Sequence, residues 1–339
     1  MSGLGRGDVL PMLVGWAMAD ELLDRIAAAD WRVRLLNREI APLAAPTELW
    51  PPFPEPLLPL VGEAEVLLTL RLPPGLPESM PKLRWIHSQA AGIDYVDRAP
   101  GLLDAGVVIT SSSGVHARPL SETVMGAIIA LAKGFPQAVR RQGRREWLRY
   151  TPEDVTGKVV TIIGAGNIGT AIASWCGWMM MRTVGVRRTA PAGWVDTEPF
   201  ERVFGQGELI EALSASDYVV LCAPRTPETV GMIGVKEFAA MKAGARFINV
   251  ARGDLVDETA LIAALESGHL GGAYLDVFAT EPLPDDSPLW DMENVLITGH
   301  SGAGSVDRDE QVVEIFVENL GRYLGGRPLV NVYDHRRGY

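Results

Sequence analysis

Short runs of apolar residues alternate with longer stretches of mixed apolar and polar residues along most of the chain. The apolar runs have the length and composition of buried strands, whereas the mixed stretches carry apolar residues at helical spacing. Strands that alternate with helices are typical of parallel sheets, because each parallel connection has to cross back over the sheet. The pattern therefore predicts an α/β protein.

The chain contains two such series, separated by a serine-rich stretch at residues 111–114. The first series predicts strands at residues 9–14, 32–36, 66–69, 83–87 and 107–110. The second predicts strands at residues 159–163, 183–186, 218–221, 246–249, 272–275 and 295–297. A helix predicted near residues 307–324 is expected to return the chain to the first domain.

This rhythm predicts two Rossmann-like doubly wound parallel-sheet domains with a cleft between them. We expect a flavodoxin-like, substrate-binding domain at residues 1–110 plus 307–339, and a dinucleotide-binding domain at residues 111–306. A hydrophobic fraction of 47% is sufficient for a core in each domain.

Composition narrows the possible partners and the compartment. The 31 Lys and Arg residues against 42 Asp and Glu residues give a net charge of -11, which argues against a nucleic-acid partner and an anionic membrane surface. No apolar run approaches the roughly 18 to 20 residues that a membrane span needs. Cys176 and Cys222 lie far apart without C-x-x-C spacing, so we expect no metal site and a reducing, cytoplasmic compartment.

The strongest local motif is G-x-G-x-x-G, which directly follows the predicted strand 159–163 and opens a helical stretch. The first glycine permits a tight turn, the second lets the backbone approach a pyrophosphate, and the third allows the helix to pack closely on the strand. The N–H groups at the helix start also favour a phosphate. The motif predicts a dinucleotide site formed by Gly164, Gly166, Asn167, Ile168 and Gly169.

Arg187, Arg188 and Thr189 follow the next predicted strand, at the place where an acidic residue would bind the ribose hydroxyls of NAD. Guanidinium groups suit a 2′-phosphate, and no carboxylate is present there to repel it. This segment predicts that NADP(H) is preferred, with NAD(H) possible. Two arginines that are merely solvated at a strand end are the structural alternative.

Three further segments stand at the ends of predicted strands, where open α/β sheets bind their ligands. They contain Arg252, Glu281 and His300. Carbonyl reduction requires a cation beside the substrate, a proton donor, and a carboxylate that holds the donor in its protonated form. These three residues provide that set.

Together these motifs resemble the D-isomer-specific 2-hydroxyacid dehydrogenase family. The resemblance covers nearly the whole chain and is carried by residues 91–94 (AGID), the glycine loop, and residues 227–229 (PET), 249–253 (NVARG), 275–278 (LDVF), 281–282 (EP) and 330–332 (VNV). The pair Arg187 and Arg188 makes the chain most similar to the NADP-dependent glyoxylate and hydroxypyruvate reductases of that family.

The resemblance implies an NADPH-dependent reduction of a small 2-oxoacid to the D-2-hydroxyacid. It implies that His300 is the acid/base, that Glu281 hydrogen-bonds its other ring nitrogen, and that Arg252 binds the substrate carboxylate and carbonyl. It also implies that the backbone N–H groups of Ala91 and Gly92 bind the substrate. Further cofactor contacts are implied for Pro224, Val250, Ala251 and Asp276; for Asp276, a purely structural capping role is the alternative.

The chain departs from the family at two places. Gly299 precedes His300 where the family usually has proline, so we expect a differently shaped loop there. His116 and Arg118 stand where small or amide residues are more usual. A contact with the substrate and a purely structural role are the two alternatives for this pair.

An arginine-rich stretch, with arginines at positions 140, 141, 144, 145 and 149, also contains Trp147 and Leu148. The acidic total charge favours an arm that packs on a second subunit over a nucleic-acid patch. The resemblance implies a homodimer whose two-fold interface includes this arm, with Trp147 reaching toward the neighbour's site.

Two other functions remain open on the same fold. A dinucleotide-sensing corepressor would keep the same Arg, Glu and His, although the partner-binding tails typical of such proteins are not evident here. A formate dehydrogenase would have Gln in place of Glu281, while phosphite oxidation is harder to exclude.

Substrate size depends on side chains around residues 50–53 and 70–72, whose orientation the sequence does not give.

Overall fold

The fold is taken from a computed structural model, which describes residues 8–40, 53, 55–70, 72, 75–93, 96, 100–190, 198–336 and 338. The chain divides into two compact units. Unit 1 consists of Met1–Val115 and Ser305–Tyr339, and unit 2 of His116–Gly304. The sequence analysis placed these boundaries after residues 110 and 306.

The described residues form twelve strands, all paired in parallel. They are β1 (Leu10–Val14), β2 (Val33–Leu35), β3 (Val66–Thr69), β4 (Trp85–Ser88), β5 (Val108–Ser111), β6 (Val159–Ile163), β7 (Arg182–Arg187), β8 (Arg202–Gly205), β9 (Tyr218–Leu221), β10 (Ala245–Asn249), β11 (Leu270–Leu275) and β12 (Val295–Ile297).

The helices of the described residues connect these strands. They are α1 (Asp20–Ala27), α2 (Leu58–Val61), α3 (Leu76–Ser79), α4 (Pro100–Asp104), α5 (Ala117–Lys133), α6 (Phe135–Arg144), α7 (Asn167–Trp178), α8 (Leu209–Ser214), α9 (Val235–Ala240), α10 (Glu258–Glu266) and α11 (Arg308–Leu324).

Each unit is built on one sheet. The five strands of unit 1 have the order β2-β1-β3-β4-β5, which is the flavodoxin-like arrangement. The seven strands of unit 2 have the order β12-β11-β10-β9-β6-β7-β8, which is the Rossmann arrangement extended by one strand. The predicted pair of doubly wound parallel sheets is confirmed.

The seventh strand of unit 2 was missed, since the sequence analysis predicted only six. This strand, β8, lies at the edge of the sheet beside β7, and only Phe204 among its residues is buried. An edge strand of four residues with one buried position lacks the continuous apolar run that marks a central strand.

The central strands of unit 2 have that run because helices cover both faces of the sheet. All residues of β6 and β9 are buried, and α5 and α7 pack together over one face. In unit 1, α11 covers the sheet with Val312, Val313, Phe316 and Leu320. Within the described ranges, no helix combines the length and apolar character needed to cross a bilayer.

Candidate active site

The glycine loop lies at the topological switch point of the unit 2 sheet. The loop follows β6, which has β7 as its neighbour on one side and β9 on the other. The chain passes from β6 through α7 to β7 and β8 on one side, and then through α8 to β9 on the other side. Ligands of open α/β sheets bind in the crevice at the carboxyl ends of the strands at such a point. The motif is therefore located where a dinucleotide would bind.

The three motif glycines meet different surroundings. Gly164 has a φ of +107°, and a Cβ there would lie 2.6 Å from the backbone nitrogen of Ala223. A Cβ on Gly169 would lie 2.3 Å from the carbonyl oxygen of Gly164. A Cβ on Gly166, by contrast, would have nothing within 4 Å, so the backbone is open to a ligand at this point. This cradle fits a pyrophosphate at the start of the twelve-residue helix α7, whose first residues are Asn167 and Ile168.

The predicted 2′-phosphate residues follow directly at the end of β7. Arg187, Arg188 and Thr189 are all exposed. The Nε of Arg187 donates to the carbonyl oxygen of Ala165 at 2.8 Å, which ties this guanidinium to the glycine loop. The pKa of Glu228 is lowered, first by a hydrogen bond from Thr226 and also by the charge of Arg188. Cationic groups thus stand at the end of β7, where the sequence analysis predicted the contact with a 2′-phosphate.

Pro224, Val250 and Ala251 follow the ends of the neighbouring strands β9 and β10. Pro224 is exposed, while Val250 and Ala251 are buried. Cys222 lies just before them, and its Sγ is 3.3 Å from the carbonyl oxygen of Gly164, beneath the loop. These residues therefore lie at the carboxyl ends of the strands on the β9 side of β6.

Arg252 sits on a turn that its neighbours fix. The buried side chain of Asn249 accepts a hydrogen bond from the Ala251 nitrogen at 3.0 Å and donates to the Arg252 carbonyl oxygen at 3.1 Å. Gly253 then passes so close to the segment after β11 that a Cβ on it would lie 1.8 Å from the carbonyl carbon of Phe278. Asn249 was not among the predicted site residues, although it is the first residue of the NVARG segment.

The side chains of His300 and Glu281 are hydrogen-bonded to each other. The Nδ1 of His300 lies 2.8 Å from Oε2 of Glu281, and both side chains remain partly open to solvent. Partial burial acts to raise the pKa of Glu281, but hydrogen bonds from His300 and the Phe278 nitrogen, together with the charge of Arg252, outweigh it and lower that pKa. Glu281 is therefore ionised near neutral pH, and the structure brings all three predicted catalytic residues together.

The loop that carries His300 is fixed by Asp276, whose side chain is only 2% exposed. Its Oδ1 accepts hydrogen bonds from Thr298 Oγ1 at 2.5 Å, from the Ser301 nitrogen at 2.9 Å and from the Gly302 nitrogen at 3.0 Å. The carbonyl oxygen of Asp276 accepts from the His300 nitrogen at 2.7 Å. This arrangement supports the structural alternative for Asp276, and its predicted contact with the cofactor stays a prediction.

His300 itself has a φ of +51°, which is unusual for a residue other than glycine. The preceding Gly299 does not share this left-handed backbone, and a Cβ on Gly299 would have open space around it. The glycine that replaces the family's usual proline is thus not required by the turn. The hydrogen bonds to Asp276 hold the strained residue in place.

The predicted substrate-binding residues Ala91 and Gly92 belong to unit 1. They follow β4, where Ala91 is half-buried and Gly92 is exposed. Of the segments expected to set substrate size, residues 50–52 and 71 lie outside the described residues, as does position 94 of the AGID motif, while Phe53 and Leu72 are buried. In unit 2, His116 precedes α5 and Arg118 pairs with Glu122 at 3.4 Å.

The arginine-rich stretch forms α6 and the residues after it. Phe135 and Val139 on α6 and Trp147, Leu148 and Tyr150 beyond it are exposed, and Trp147 is 90% exposed. Arg144 pairs with Glu293 at 3.2 Å. This exposed apolar arm is the feature that the sequence analysis assigned to a subunit interface.

Among the described residues, no group of three or more His, Cys, Asp and Glu side chains is arranged to hold a metal ion. Both cysteines are free thiols, and burial raises the pKa of each to about 12.

Known proteins resemble this chain over most of its length. Residues 125–302 match the family described as D-isomer specific 2-hydroxyacid dehydrogenase, NAD binding domain. A glyoxylate/hydroxypyruvate reductase B of Citrobacter koseri is 35% identical over 275 residues, which cover 79% of this chain and 82% of the relative. A glyoxylate reductase of Korarchaeum cryptofilum is 31% identical, with 82% and 86% covered.

Solved structures agree with this relationship. A D-isomer specific 2-hydroxyacid dehydrogenase of Xanthobacter autotrophicus, solved with NADPH and MES, is 30% identical with a TM-score of 0.78, covering 97% of this chain and 100% of that one. An NADPH-dependent glyoxylate/hydroxypyruvate reductase of Sinorhizobium meliloti, solved with NADP and sulfate, is 25% identical with a TM-score of 0.77 and the same coverage. The chain belongs to the D-isomer specific 2-hydroxyacid dehydrogenase family of oxidoreductases.

Proposed function

We propose that this protein reduces a small 2-oxoacid, of the glyoxylate or hydroxypyruvate type, to the D-2-hydroxyacid with NADPH. The observation that carries the proposal is the 2.8 Å contact between His300 and Glu281 with Arg252 beside it, on the sheet that holds the glycine loop. The similarity to glyoxylate/hydroxypyruvate reductases supports the substrate class.

The chemistry divides among the three side chains. Because Glu281 accepts from Nδ1 of His300, Nε2 is the nitrogen that gives a proton to the substrate carbonyl oxygen. Arg252 binds the substrate carboxylate and polarises the carbonyl, and the N–H groups of Ala91 and Gly92 bind the same carboxylate. A reduced nicotinamide, when bound, supplies the hydride that the carbonyl carbon accepts. The carbonyl thus gains one hydride and one proton and becomes an alcohol.

Several residues are proposed to bind the cofactor. The open backbone at Gly166 and the start of α7 suit the pyrophosphate, and Arg187 and Arg188 suit a 2′-phosphate. NADP(H) is therefore the proposed cofactor, with NAD(H) used less well. The remaining contacts are proposed for Asn167, Ile168, Thr189, Pro224, Val250, Ala251 and Asp276.

The protein is further proposed to act as a homodimer in the cytoplasm, with Trp147 of each subunit reaching the partner's site. The exposed apolar arm and the free cysteines support this assignment.

The direct test is loss of nicotinamide absorbance with glyoxylate, hydroxypyruvate and a graded set of larger 2-oxoacids, with NADPH and NADH compared. We expect turnover of the small 2-oxoacids with NADPH. The matched pair of variants is His300→Gln, which removes the proton donor, and His269→Gln, which alters a histidine that contacts the Phe238 carbonyl oxygen in the same unit. Absence of turnover with every 2-oxoacid and both cofactors would refute the proposal, and cofactor-dependent capture of a protein partner without catalysis would favour the corepressor function.

A further inference from the structure

A chain of buried polar side chains runs along β4 and β5 of the unit 1 sheet and reaches the residue that follows β5. Trp85 and His87 lie on β4, Thr110 lies on β5, and Ser112 follows β5 directly. All four are fully buried, and Phe316 of α11 packs on the rings of Trp85 and His87 at centroid distances of 5.1 and 5.4 Å. Polar groups buried this deeply have to satisfy one another.

The distances define the direction in which the hydrogen bonds run. Trp85 Nε1, which can only donate, lies 2.9 Å from Thr110 Oγ1, and the same oxygen lies 2.8 Å from His87 Nδ1. His87 Nε2 lies 3.1 Å from Ser112 Oγ, which in turn lies 2.9 Å from the Ser88 carbonyl oxygen. Because the Ser112 hydroxyl donates to that carbonyl, it accepts from His87 Nε2.

The opposite direction is less favourable. In that direction His87 Nδ1 would donate to Thr110 Oγ1 across the 2.8 Å contact, and the Thr110 hydroxyl could then donate only to the Ile86 carbonyl oxygen, at 3.4 Å. The same direction would also turn the Ser112 hydroxyl away from the Ser88 carbonyl oxygen. His87 is therefore neutral and protonated at Nε2, and burial, which lowers its pKa to about 3, keeps the ring uncharged at neutral pH.

The chain of hydrogen bonds ends at the loop that leads to Ala91 and Gly92. The Ser112 nitrogen donates to the carbonyl oxygens of Ser88 at 3.0 Å and Ala90 at 3.2 Å, so Ser112 holds the loop by both its backbone and its hydroxyl. Gln89, which follows Ser88, is also held, because its backbone nitrogen donates to the Thr69 carbonyl oxygen at 2.9 Å. The exposed Gly92 lies only three positions after the buried Gln89.

We infer that Ser112 is a positioning residue for the substrate loop, and that Thr110 and His87 act through it by holding its hydroxyl on the Ser88 carbonyl oxygen. The inference rests on the proposed function, in which the N–H groups of Ala91 and Gly92 bind the 2-oxoacid carboxylate. If this loop moved by a fraction of an ångström, the contact with the carboxylate would weaken, whereas cofactor binding by the residues of unit 2 would be unchanged.

The first experiment does not depend on activity. Nitrogen NMR of protein labelled with ¹⁵N-histidine distinguishes the two neutral ring tautomers and the charged ring. We expect His87 to be neutral and protonated at Nε2 at pH 7, with the signal assigned through its loss in His87→Gln or, if that variant does not fold, through its shift in Thr110→Ser. A ring protonated at Nδ1, or a charged ring, would overturn the inferred direction.

The second experiment measures kinetics with glyoxylate and hydroxypyruvate. We expect Ser112→Ala to raise KM for the 2-oxoacid about tenfold, from the loss of one buried hydrogen bond, while kcat changes less and the NADPH dissociation constant is unchanged. Thr110→Val should have the same effect, whereas Thr110→Ser, which keeps the hydroxyl, should restore KM toward that of the wild type. Ser79→Ala is the control, because the Ser79 hydroxyl donates to carbonyl oxygens of its own turn in unit 1.

The outcomes are separable. Unchanged KM in Ser112→Ala, or equal KM in Thr110→Val and Thr110→Ser, would overturn the positioning role. A parallel loss of kcat, NADPH affinity and melting temperature would overturn it as well, because it would indicate general damage. If the wild type turns over no 2-oxoacid, the proposed function fails, and the NMR experiment still tests the hydrogen-bond chain.

Discussion

Glu281 connects the other two side chains of the candidate site, since it accepts a hydrogen bond from His300 and lies within the field of Arg252. The pKa of Glu281 is lowered despite partial burial, so the carboxylate is ionised in the neutral range. By accepting from Nδ1, this carboxylate orients the imidazole ring. Glu281 therefore sets the direction of the side chain that is proposed to donate the proton.

Replacing this charge without changing the shape is the sharpest test at the residue scale. We expect Glu281→Gln to lower kcat by about 100-fold, because general acid catalysis typically contributes about that much or more. Steady-state rates at saturating 2-oxoacid and NADPH measure the effect. Glu237→Gln, which alters a carboxylate at the start of α9, should leave kcat unchanged; a wild-type kcat for Glu281→Gln would contradict the assignment.

A second residue-scale prediction concerns the cofactor. Arg188→Ala should reduce the preference for NADPH over NADH by about tenfold, the equivalent of roughly 1.4 kcal/mol from one charge-assisted contact. The ratio of kcat/KM for the two cofactors measures it. Arg182→Ala at the opposite end of β7, where the guanidinium pairs with Glu201 at 2.9 Å, is the matched control. An equal loss with NADPH and NADH would show that Arg188 does not contact the 2′-phosphate.

Single residues also show where sequence reasoning ends. Arg252, Glu281 and His300 could be predicted because each follows a recognisable strand, and such strands end at one edge of a sheet. The contacts of Asp276 with Thr298 and the Ser301 nitrogen could not, because they depend on how a loop folds back over the end of β11. The sequence indicated only that an aspartate follows that strand.

At the scale of elements, the site depends on two chain segments that pass within van der Waals distance. Gly253 leaves no room for a side chain against Phe278, and this approach keeps Arg252 near Glu281. The same principle appears in the glycine loop, where Gly169 packs on Gly164. Strands were predictable where both faces are buried, as in β6 and β9, whereas the edge strand β8 gave no comparable signal.

The close approach predicts the effect of one methyl group. Gly253→Ala should lower the unfolding free energy by about 3 kcal/mol and reduce kcat, because the backbone has to separate to admit the Cβ. Gly177→Ala in α7, where a Cβ would meet nothing within 4 Å, should be neutral or slightly stabilising. Thermal unfolding and steady-state rates measure both. A Gly253→Ala protein as stable and active as the wild type would contradict the geometry at this crossing.

Glu153, in the segment before β6, forms an ion pair with Arg246 on β10. Both carboxylate oxygens of Glu153 accept hydrogen bonds from the guanidinium, at distances of 2.9 and 3.1 Å. The hydrogen bonds from Arg246 lower the pKa of Glu153. Because the pKa is lower in the folded than in the unfolded state, the pair stabilises the fold above the unfolded value of about 4.3, and the contribution is lost as the pH falls through the folded pKa.

Glu153→Gln should therefore be less stable than the wild type at pH 7, and the difference should vanish only once the pH has fallen below the lowered pKa of Glu153 in the folded protein. The difference at pH 7 should be about 1 kcal/mol, discounted because 46% of the Glu153 side chain is exposed. Urea unfolding at several pH values measures it. Glu314→Gln, from the more exposed pair with Arg25, should show almost no difference at any pH; a pH-independent effect of Glu153→Gln would contradict the ionic origin.

At the scale of the whole molecule, the net charge of -11 and the arginine-rich arm have opposite signs. An isolated basic patch would suggest a nucleic-acid partner, but the arm also exposes Phe135, Val139, Trp147 and Leu148. Large apolar side chains exposed together are typical of a protein interface, and Arg stems cover apolar surface while their charged ends stay in water. The proposed interface between two copies of the chain would bury this apolar surface and leave the arginine charges in water.

This interface predicts the effect of placing a charge on the arm. We expect the wild type to have the mass of two chains in sedimentation, and Val139→Asp, at a side chain that is 66% exposed in the single chain, to have the mass of one. Trp31→Asp, at an exposed tryptophan of unit 1, should remain a dimer.

If Trp147 also contributes to the partner's site, Trp147→Ala should raise KM for the 2-oxoacid while the dimer persists, and Val139→Asp should raise KM to a similar degree. A wild-type monomer, or a Val139→Asp dimer, would remove the arm from the interface, whereas a Trp147→Ala dimer with unchanged KM would limit Trp147 to the surface of its own subunit.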